Sequence, residues 1–346
     1  MQEKTRFFSF LQQPSDLAEL QDAQHFFGSA EVQAFVPTVR DIDATLRELI
    51  PLLLQIDGFH AGALALMCGS LVEAGGNVAI PVDATLTLME RQLRQAEDFV
   101  RRSDSMSIED LFQHYPEATR AHYGLSFTLL AAMTMLSRDV EARKQLRSRQ
   151  DVVDLVSEME GHYETLYYIK EVLALLDDKD LLILDPLNKR GFLTHLVGVQ
   201  DRMYHCYALL QHALLEHAGP GYLNARPTDP DLVRYAQNRG LTSQDYREFR
   251  GRYDEQRFGF YYPGASQADG KINSLAFFPG SASFFDVPAI DGIPVLLVGE
   301  KFMSFRWEPA NMYPVLHAAL QSQVSIVREL PREEVETWLQ RFSRPA

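Results

Sequence analysis

Helical periodicity in the first half of the chain constrains its fold more than any other feature of the sequence. From about Pro14 to His217, apolar residues recur at spacings of three and four in successive segments separated by Gly, Pro and capping residues. The segment between Gly58 and Gly75 is apolar on most faces and rich in small residues, which predicts a central, closely packed helix. No motif recurs at a fixed period, so we expect a helical array or an irregular bundle.

The pattern changes after Asp180. LLILDP and GFLTHLVGV predict two strands joined by a turn at NKR, and IPVLLVG predicts a strand that is covered on both faces. A helix is expected over residues 202–218. The predicted fold class is mainly α, with an all-helical region over residues 1–178. A smaller mixed α+β region with aromatic-rich loops follows over residues 179–346.

Local signals make three further predictions. The periodic segment that begins at Asp151 predicts one long helix that ends near Asp177. A helix is expected from about Pro314 to Gln323, and another closes the chain from about Glu333 to Phe342. The residues Gly221, Pro227 and Pro230 predict a linker.

The chain is acidic, and its charge is unevenly distributed. Its 346 residues carry a formal net charge of −14; the first 100 hold 6 basic and 14 acidic side chains, whereas residues 201–346 hold 15 and 17. This balance argues against general binding to nucleic acids or to anionic membranes, because both need a basic surface. The acidic excess indicates either a solvated face or a docking face for a basic partner.

Several signals indicate a cytoplasmic protein. The first residues lack the apolar run of a signal peptide, and the apolar stretch from Ala61 to Val72 is too short to span a bilayer. Cys68 and Cys206 lie in apolar helical segments, which predicts two small core residues. The chain contains no C-x-x-C pair, no G-x-S-x-G element and no glycine-rich phosphate loop. No cofactor is therefore predicted.

Two histidines and an aromatic cluster are the candidates for a site. His205 and His212 are seven residues apart on one helix face, where two imidazoles could bind a metal, but the tight spacing of helix-borne metal sites is missing. No metal site is therefore predicted. A candidate pocket combines this pair with aromatic and basic residues of the C-terminal region, although core packing is the favoured interpretation of the aromatics. The added residues are Phe260, Tyr261, Tyr262, Arg306 and Trp307.

Two functional hypotheses from different classes follow. The first is a cytoplasmic, helix-rich binding or adaptor protein that recognises a protein or peptide partner, with homo-oligomerisation left open. It depends on the helical first half, the acidic surface and the lack of catalytic motifs. The second is a metal-dependent or small-molecule-dependent enzyme. Its site would lie where the helix over residues 202–218 meets the aromatic-rich C-terminal region.

Overall fold

The computed structural model describes residues 2–266, 271–272, 276–278, 282–301, 303–309 and 317–342. Its contacts divide the chain into two compact units, Met1–Leu173 and Ala174–Ala346. The described part of the first unit is helical, and the second unit combines a mixed sheet with helices. The fold is therefore mainly α with a mixed region after the helical one, as the sequence predicts. Within the described residues, no helix combines the length and the apolar character needed to cross a membrane.

Twelve helices make up the described part of the first unit. They are α1 (Gln2–Leu11), α2 (Leu17–Gln21), α3 (Gln24–Phe27), α4 (Ala30–Phe35), α5 (Ile42–Leu49), α6 (Gly58–Glu73), α7 (Val82–Ser103), α8 (Ile108–His114), α9 (Pro116–Arg138), α10 (Val140–Ser148), α11 (Gln150–Met159) and α12 (Glu164–Leu173).

The first unit is built around α6, which packs against α9. Gly62 and Gly69 of α6 face Gly124 and Ala131 of α9, and the missing side chains let the two backbones approach closely. Gln92 of α7 donates a buried hydrogen bond of 2.6 Å to a backbone carbonyl of α6. The prediction of a central, closely packed helix between Gly58 and Gly75 is thus confirmed.

Some of the acidic residues of the first unit cap helices. The first unit holds 26 acidic and 15 basic side chains. Four aspartates, each placed just before a helix, accept a hydrogen bond from a backbone N–H of its first turn, which satisfies a group that the helix itself cannot pair. These residues are Asp16, Asp41, Asp57 and Asp139. Short connections between many helices therefore account for part of the negative charge.

The prediction of a single long helix after Asp151 is wrong. Helix α11 ends at Met159, a 3-10 turn covers Glu160–His162, and α12 begins at Glu164. Gly161 lies inside this turn, and Tyr163 has an extended backbone with a φ of −138°. Glycine is unfavourable inside a helix, which explains the break at Gly161. The apolar period of the sequence continues across this break.

The described part of the second unit contains eight strands and five helices. They are β1 (Lys179–Asp185), β2 (Arg190–Val197), α13 (Met203–Ala218), α14 (Pro230–Gln237), α15 (Ser243–Phe249), β3 (Asp254–Glu255), β4 (Gly259–Tyr261), β5 (Ala289–Ile290), β6 (Ile293–Gly299), β7 (Arg306–Trp307), α16 (His317–Leu320), β8 (Gln323–Glu329) and α17 (Arg332–Phe342).

The main sheet has the strand order β4-β6-β1-β2-β8, with β5 paired to β6; β3 and β7 form a separate pair. Strands β1 and β6 are parallel, and the other pairs are antiparallel. One face of the sheet packs on α13 and the other on α17. Leu296 and Leu297 of β6 belong to the two opposite cores, which confirms a strand covered on both faces.

The predicted hairpin of β1 and β2 is confirmed, but β8 lies where a helix was expected. The expected helix from Pro314 to Gln323 is only partly described: α16 spans His317–Leu320, and residues 310–316 lie outside the described residues. Gln323 does not end a helix but begins β8, which pairs with β2. Alternating Val324 and Ile326 pack against the core beneath α13, and this burial determines the strand.

Candidate functional site

A groove in the second unit is the candidate site. It has a volume of about 560 Å³, within the range of small-ligand and peptide pockets. We call it the proline-rimmed groove. Its walls are the end of α13, the connecting segment 219–229 and helix α14. The lining residues are His212, Leu215, Glu216, Pro220, Gly221, Ala225, Pro227, Thr228, Pro230, Val233, Arg234 and Gln237.

The connecting segment has an unusual backbone. Gly219 and Gly221 have φ angles of 94° and 82°, and Leu223 and Asn224 have φ angles of 52° and 56°. A bulky side chain rarely occupies this left-handed region, and such strain costs about 1–3 kcal/mol. The segment persists because Tyr222 is buried and fixes it to the sheet.

Tyr222 fixes the segment through a buried carboxylate. Its hydroxyl donates a 2.8 Å hydrogen bond to Oδ2 of Asp185 at the end of β1. Burial, followed by the nearby Asp185 charge, raises the pKa of Tyr222 far above its usual value, so the hydroxyl stays protonated and donates. The linker predicted from Gly221, Pro227 and Pro230 connects α13 to α14, and it is anchored within one compact unit.

The floor of the groove is apolar and its rim is polar. Leu215, Ala225 and Val233 supply apolar surface. On the rim, Nδ1 of His212 lies 3.1 Å from Oγ1 of Thr228, and its Nε2 lies 3.5 Å from Oε2 of Glu216. These contacts hold the polar rim groups in place around an apolar floor.

The remaining charged group of this groove is also paired. Nη2 of Arg234 lies 2.9 Å from Oδ1 of Asp245, and its guanidinium lies 5.6 Å from the ring of Phe249. The positive charge of Arg234 is thus compensated by the carboxylate of Asp245.

Two smaller cavities adjoin the groove. The first, of about 410 Å³, shares His212, Glu216 and Gln237 with it and extends to Arg239 and the first half of β8; we call it the Arg239 cavity. The second, of about 440 Å³, shares Ala225. Arg226, Arg257 and Lys301 line it opposite two glutamates, so we call it the mixed-charge cavity. Its glutamates are Glu255 and Glu300.

His205 has a structural position. Its side chain is buried, its Nδ1 accepts a 2.9 Å hydrogen bond from the backbone N–H of Gln200, and its Nε2 lies 2.7 Å from the carbonyl oxygen of Ala236 in α14. Burial lowers the pKa of His205 to about 4, so the neutral ring donates from Nε2. It joins α13 to α14, whereas His212 lines the groove.

The predicted aromatic residues lie in or against the core. Phe260 and Tyr261 point to opposite faces of β4, as strand alternation requires. The ring of Phe260 lies 4.2 Å from that of Tyr207 on α13, and the hydroxyl of Tyr261 donates to the carbonyl oxygen of Glu300 over 2.6 Å. Tyr262 is 38% exposed and packs edge-on against Phe277.

The last two predicted residues, Arg306 and Trp307, lie on opposite faces of β7. Trp307 is buried near Tyr204 and Tyr207, whereas Arg306 is exposed and pairs with Glu255 at 2.7 Å. The structure does not bring the predicted residues into one pocket, and His212 is the one that lines the proline-rimmed groove. Alternation along β4 and β7 separates neighbours onto opposite faces. The residues concerned are His205, His212, Phe260, Tyr261, Tyr262, Arg306 and Trp307.

Both cysteines are free and buried, as expected for core residues, and burial raises the pKa of each thiol to about 12. In the described ranges, no three or more His, Cys, Asp or Glu side chains are grouped so as to hold a metal ion. Comparisons with models of known protein families, with curated proteins and with solved structures gave no match.

The groove residues carried a sequence signal that indicated a linker and not a binding site. Gly219, Pro220 and Gly221 follow a long helix, and Pro227 and Pro230 follow shortly after. Such a composition is common to linkers and to structured binding loops. The distinguishing residue is Tyr222, whose buried partner Asp185 is distant in sequence.

Proposed function

We propose that this chain is a cytoplasmic binding protein whose second unit recognises a short segment of a partner protein in the proline-rimmed groove. The observation that carries the proposal is an apolar floor of Leu215, Ala225 and Val233 beneath a rim that contains three prolines. An apolar floor with a few fixed polar groups is typical of sites that bury apolar side chains of a ligand.

The fixed shape of the connecting segment supports binding. Proline has little backbone freedom, and Tyr222 holds the segment to the sheet through Asp185. A surface that is already ordered loses little conformational entropy when a ligand binds, so more of the interaction energy contributes to affinity.

The enzyme hypothesis receives less support from the same geometry. Its metal-dependent version needs His205 and His212 to act together, but both ring nitrogens of His205 are engaged within the core. His212 lies at the groove with Thr228 and Glu216 as neighbours. This arrangement favours recognition over a paired-histidine site.

Peptide selection tests the proposal. A random library of peptides is displayed on phage and selected on the full chain, and the affinity of enriched peptides is measured by fluorescence anisotropy. Ala225→Trp fills the groove with an indole. Leu187→Trp adds the same side chain at a position that is 60% exposed in the turn between β1 and β2 and does not line the groove.

The expected result is a set of peptides whose affinity falls at least about tenfold with Ala225→Trp and stays unchanged with Leu187→Trp, since tenfold corresponds to about 1.4 kcal/mol. Circular dichroism confirms that both variants are folded. Enrichment of no peptide, or equal binding by the two variants, would remove the proposal. Dimers that Ala225→Trp disrupts would identify a second copy of the chain as the occupant instead.

A further inference from the structure

The proline-rimmed groove continues into the Arg239 cavity. His212, Glu216 and Gln237 line both spaces, so the same three side chains form the boundary between them. One side of this boundary is the apolar floor with Leu215 and Val233. The other side is more polar and ends at Arg239 and the start of β8. A ligand that lies across the boundary passes from the apolar floor, past His212, Glu216 and Gln237, to Arg239.

The backbone fixes the position of Arg239. Its N–H donates to the carbonyl oxygen of Arg234, and the N–H of Asn238 donates to that of Tyr235, the pattern of a Schellman motif at the end of α14. Asn238 has a φ of 58° and is buried. Its Nδ2 donates to Oγ of Ser322, the residue before β8. Arg239 is therefore held beside β8 by the residue that precedes it.

Arg239 is the cationic side chain of this cavity that has no carboxylate partner among the described residues, and Glu216 is an exposed carboxylate whose neighbour is His212. Oε2 of Glu216 lies 3.5 Å from Nε2 of His212, and Nε2 of His217 lies 3.1 Å from Oε2 of Glu329. Glu329 in turn pairs with Arg190. Among the described residues, no carboxylate lies within ion-pair distance of the Arg239 guanidinium. An arginine in this state presents a planar donor set that matches a carboxylate.

We infer that the segment bound by the groove carries a carboxylate next to an apolar side chain, and that Arg239 binds this carboxylate. The inference rests on the proposed function. The apolar side chain occupies the floor of the proline-rimmed groove, and the carboxylate lies beyond Glu216 in the Arg239 cavity. An acidic side chain and the α-carboxylate of a chain terminus share this chemistry.

The mixed-charge cavity provides a comparison within the same unit. Arg226 is exposed there, and Arg257 and Lys301 line the same cavity together with Glu255 and Glu300. Arg226 is therefore a matched control for Arg239, because both are exposed arginines that line a cavity adjoining the groove.

The experiment repeats the peptide selection on three forms of the full chain: the wild type, Arg239→Glu and Arg226→Glu. We expect peptides selected by the wild type and by Arg226→Glu to be enriched in Asp or Glu next to an apolar residue. Those selected by Arg239→Glu should instead be enriched in Lys or Arg. Groove-dependent peptides with no acidic enrichment, or with the same enrichment on all three forms, would overturn the inference while leaving the proposed function standing.

A second measurement locates the carboxylate. Asp→Asn in an enriched peptide should weaken binding to the wild type at least about tenfold and have little effect with Arg239→Gln, as coupled partners do in a double-mutant cycle. A shortened peptide that ends at the Asp position is compared as the free acid and as the amide. Tighter binding of the free acid identifies a chain terminus, and equal binding identifies the acidic side chain. An Asp→Asn effect that persists with Arg239→Gln would contradict the assignment.

Discussion

Gly62 and Gly124 meet across the contact between α6 and α9 with no space for a side chain. A Cβ on Gly62 would lie 2.2 Å from the carbonyl oxygen of Gly124, and a Cβ on Gly124 would lie 2.2 Å from the carbonyl oxygen of Gly58. The atoms in the way belong to backbones, which cannot rotate aside as the end of a side chain can. The distance between the two helices therefore depends on both glycines.

Gly62→Ala should destabilise the first unit. Forcing a methyl group into a close-packed contact costs about 1–3 kcal/mol or more, because the helices must separate. Urea denaturation followed by circular dichroism measures the change. Gly161→Ala is the control, since nothing lies within 4 Å of the added methyl group. Equal losses for the two variants would show that the close approach of α6 and α9 does not limit stability.

The buried His60 should make the first unit sensitive to pH. Its Nδ1 lies 3.0 Å from Oδ2 of Asp57 and its Nε2 lies 3.6 Å from Oε1 of Glu19. Burial lowers the pKa of His60, but the two carboxylates outweigh burial and raise it above the ordinary 6.5. The charged ring therefore stabilises the fold, fully below pH 6.5, and this stabilisation is lost as the pH rises through the raised pKa.

Urea denaturation between about pH 5.5 and about pH 8.5 tests this expectation. The free energy of unfolding should fall with rising pH by more in the wild type than in His60→Gln. Asp57→Asn keeps a good N-cap residue but removes the charge. In that background, His60→Gln should change the pH dependence much less. An unchanged dependence in His60→Gln alone would show that the ring does not titrate in this range.

Tyr222→Phe should loosen the wall of the groove. The change removes the hydroxyl that donates to Oδ2 of Asp185, whose carboxylate is fully buried. Nδ2 of Asn188 still donates to the same oxygen, and the loss of one hydrogen bond to a charged group costs about 1.5–3 kcal/mol. Hydrogen exchange should show faster exchange of the amides in the segment 219–229, and urea denaturation should show the loss of stability. Tyr253→Phe, at a tyrosine that is 60% exposed, should change neither. Unaltered exchange in Tyr222→Phe would mean that the segment is held by other contacts.

Local signals were enough to predict α6, α13, α17 and the central hairpin. Ser107 caps α8 as its position before Glu109 and Asp110 indicates, and Asp185 closes the turn between β1 and β2 by accepting from two backbone N–H groups. Strand β5 could have been found from Asp291 and Gly292, because an Asp-Gly pair favours a two-residue hairpin and both residues have positive φ angles.

The site depends on contacts that are distant in sequence, and these left no local signal. Nothing around His205 indicates that Ala236 will occupy its second nitrogen, and nothing around Tyr222 indicates Asp185 as its partner. The aromatic residues from Phe258 to Phe284 resemble a binding surface in composition. Phe258, Phe260, Phe277 and Phe284 became core because α13 and the sheet cover them, whereas Tyr262 and Phe278 stay exposed.

Because Asn238 caps α14, the charge at residue 239 and the support of the fold at this point depend on different side chains. The backbone at residue 239 is positioned by Asn238 and Ser322, so the Arg239 side chain contributes charge without supporting the fold. Under the proposed recognition of a partner, exchange of this one side chain would alter which partners are accepted at little cost in folding. In a lineage of such proteins, residue 239 is where selection could retarget recognition by single substitutions.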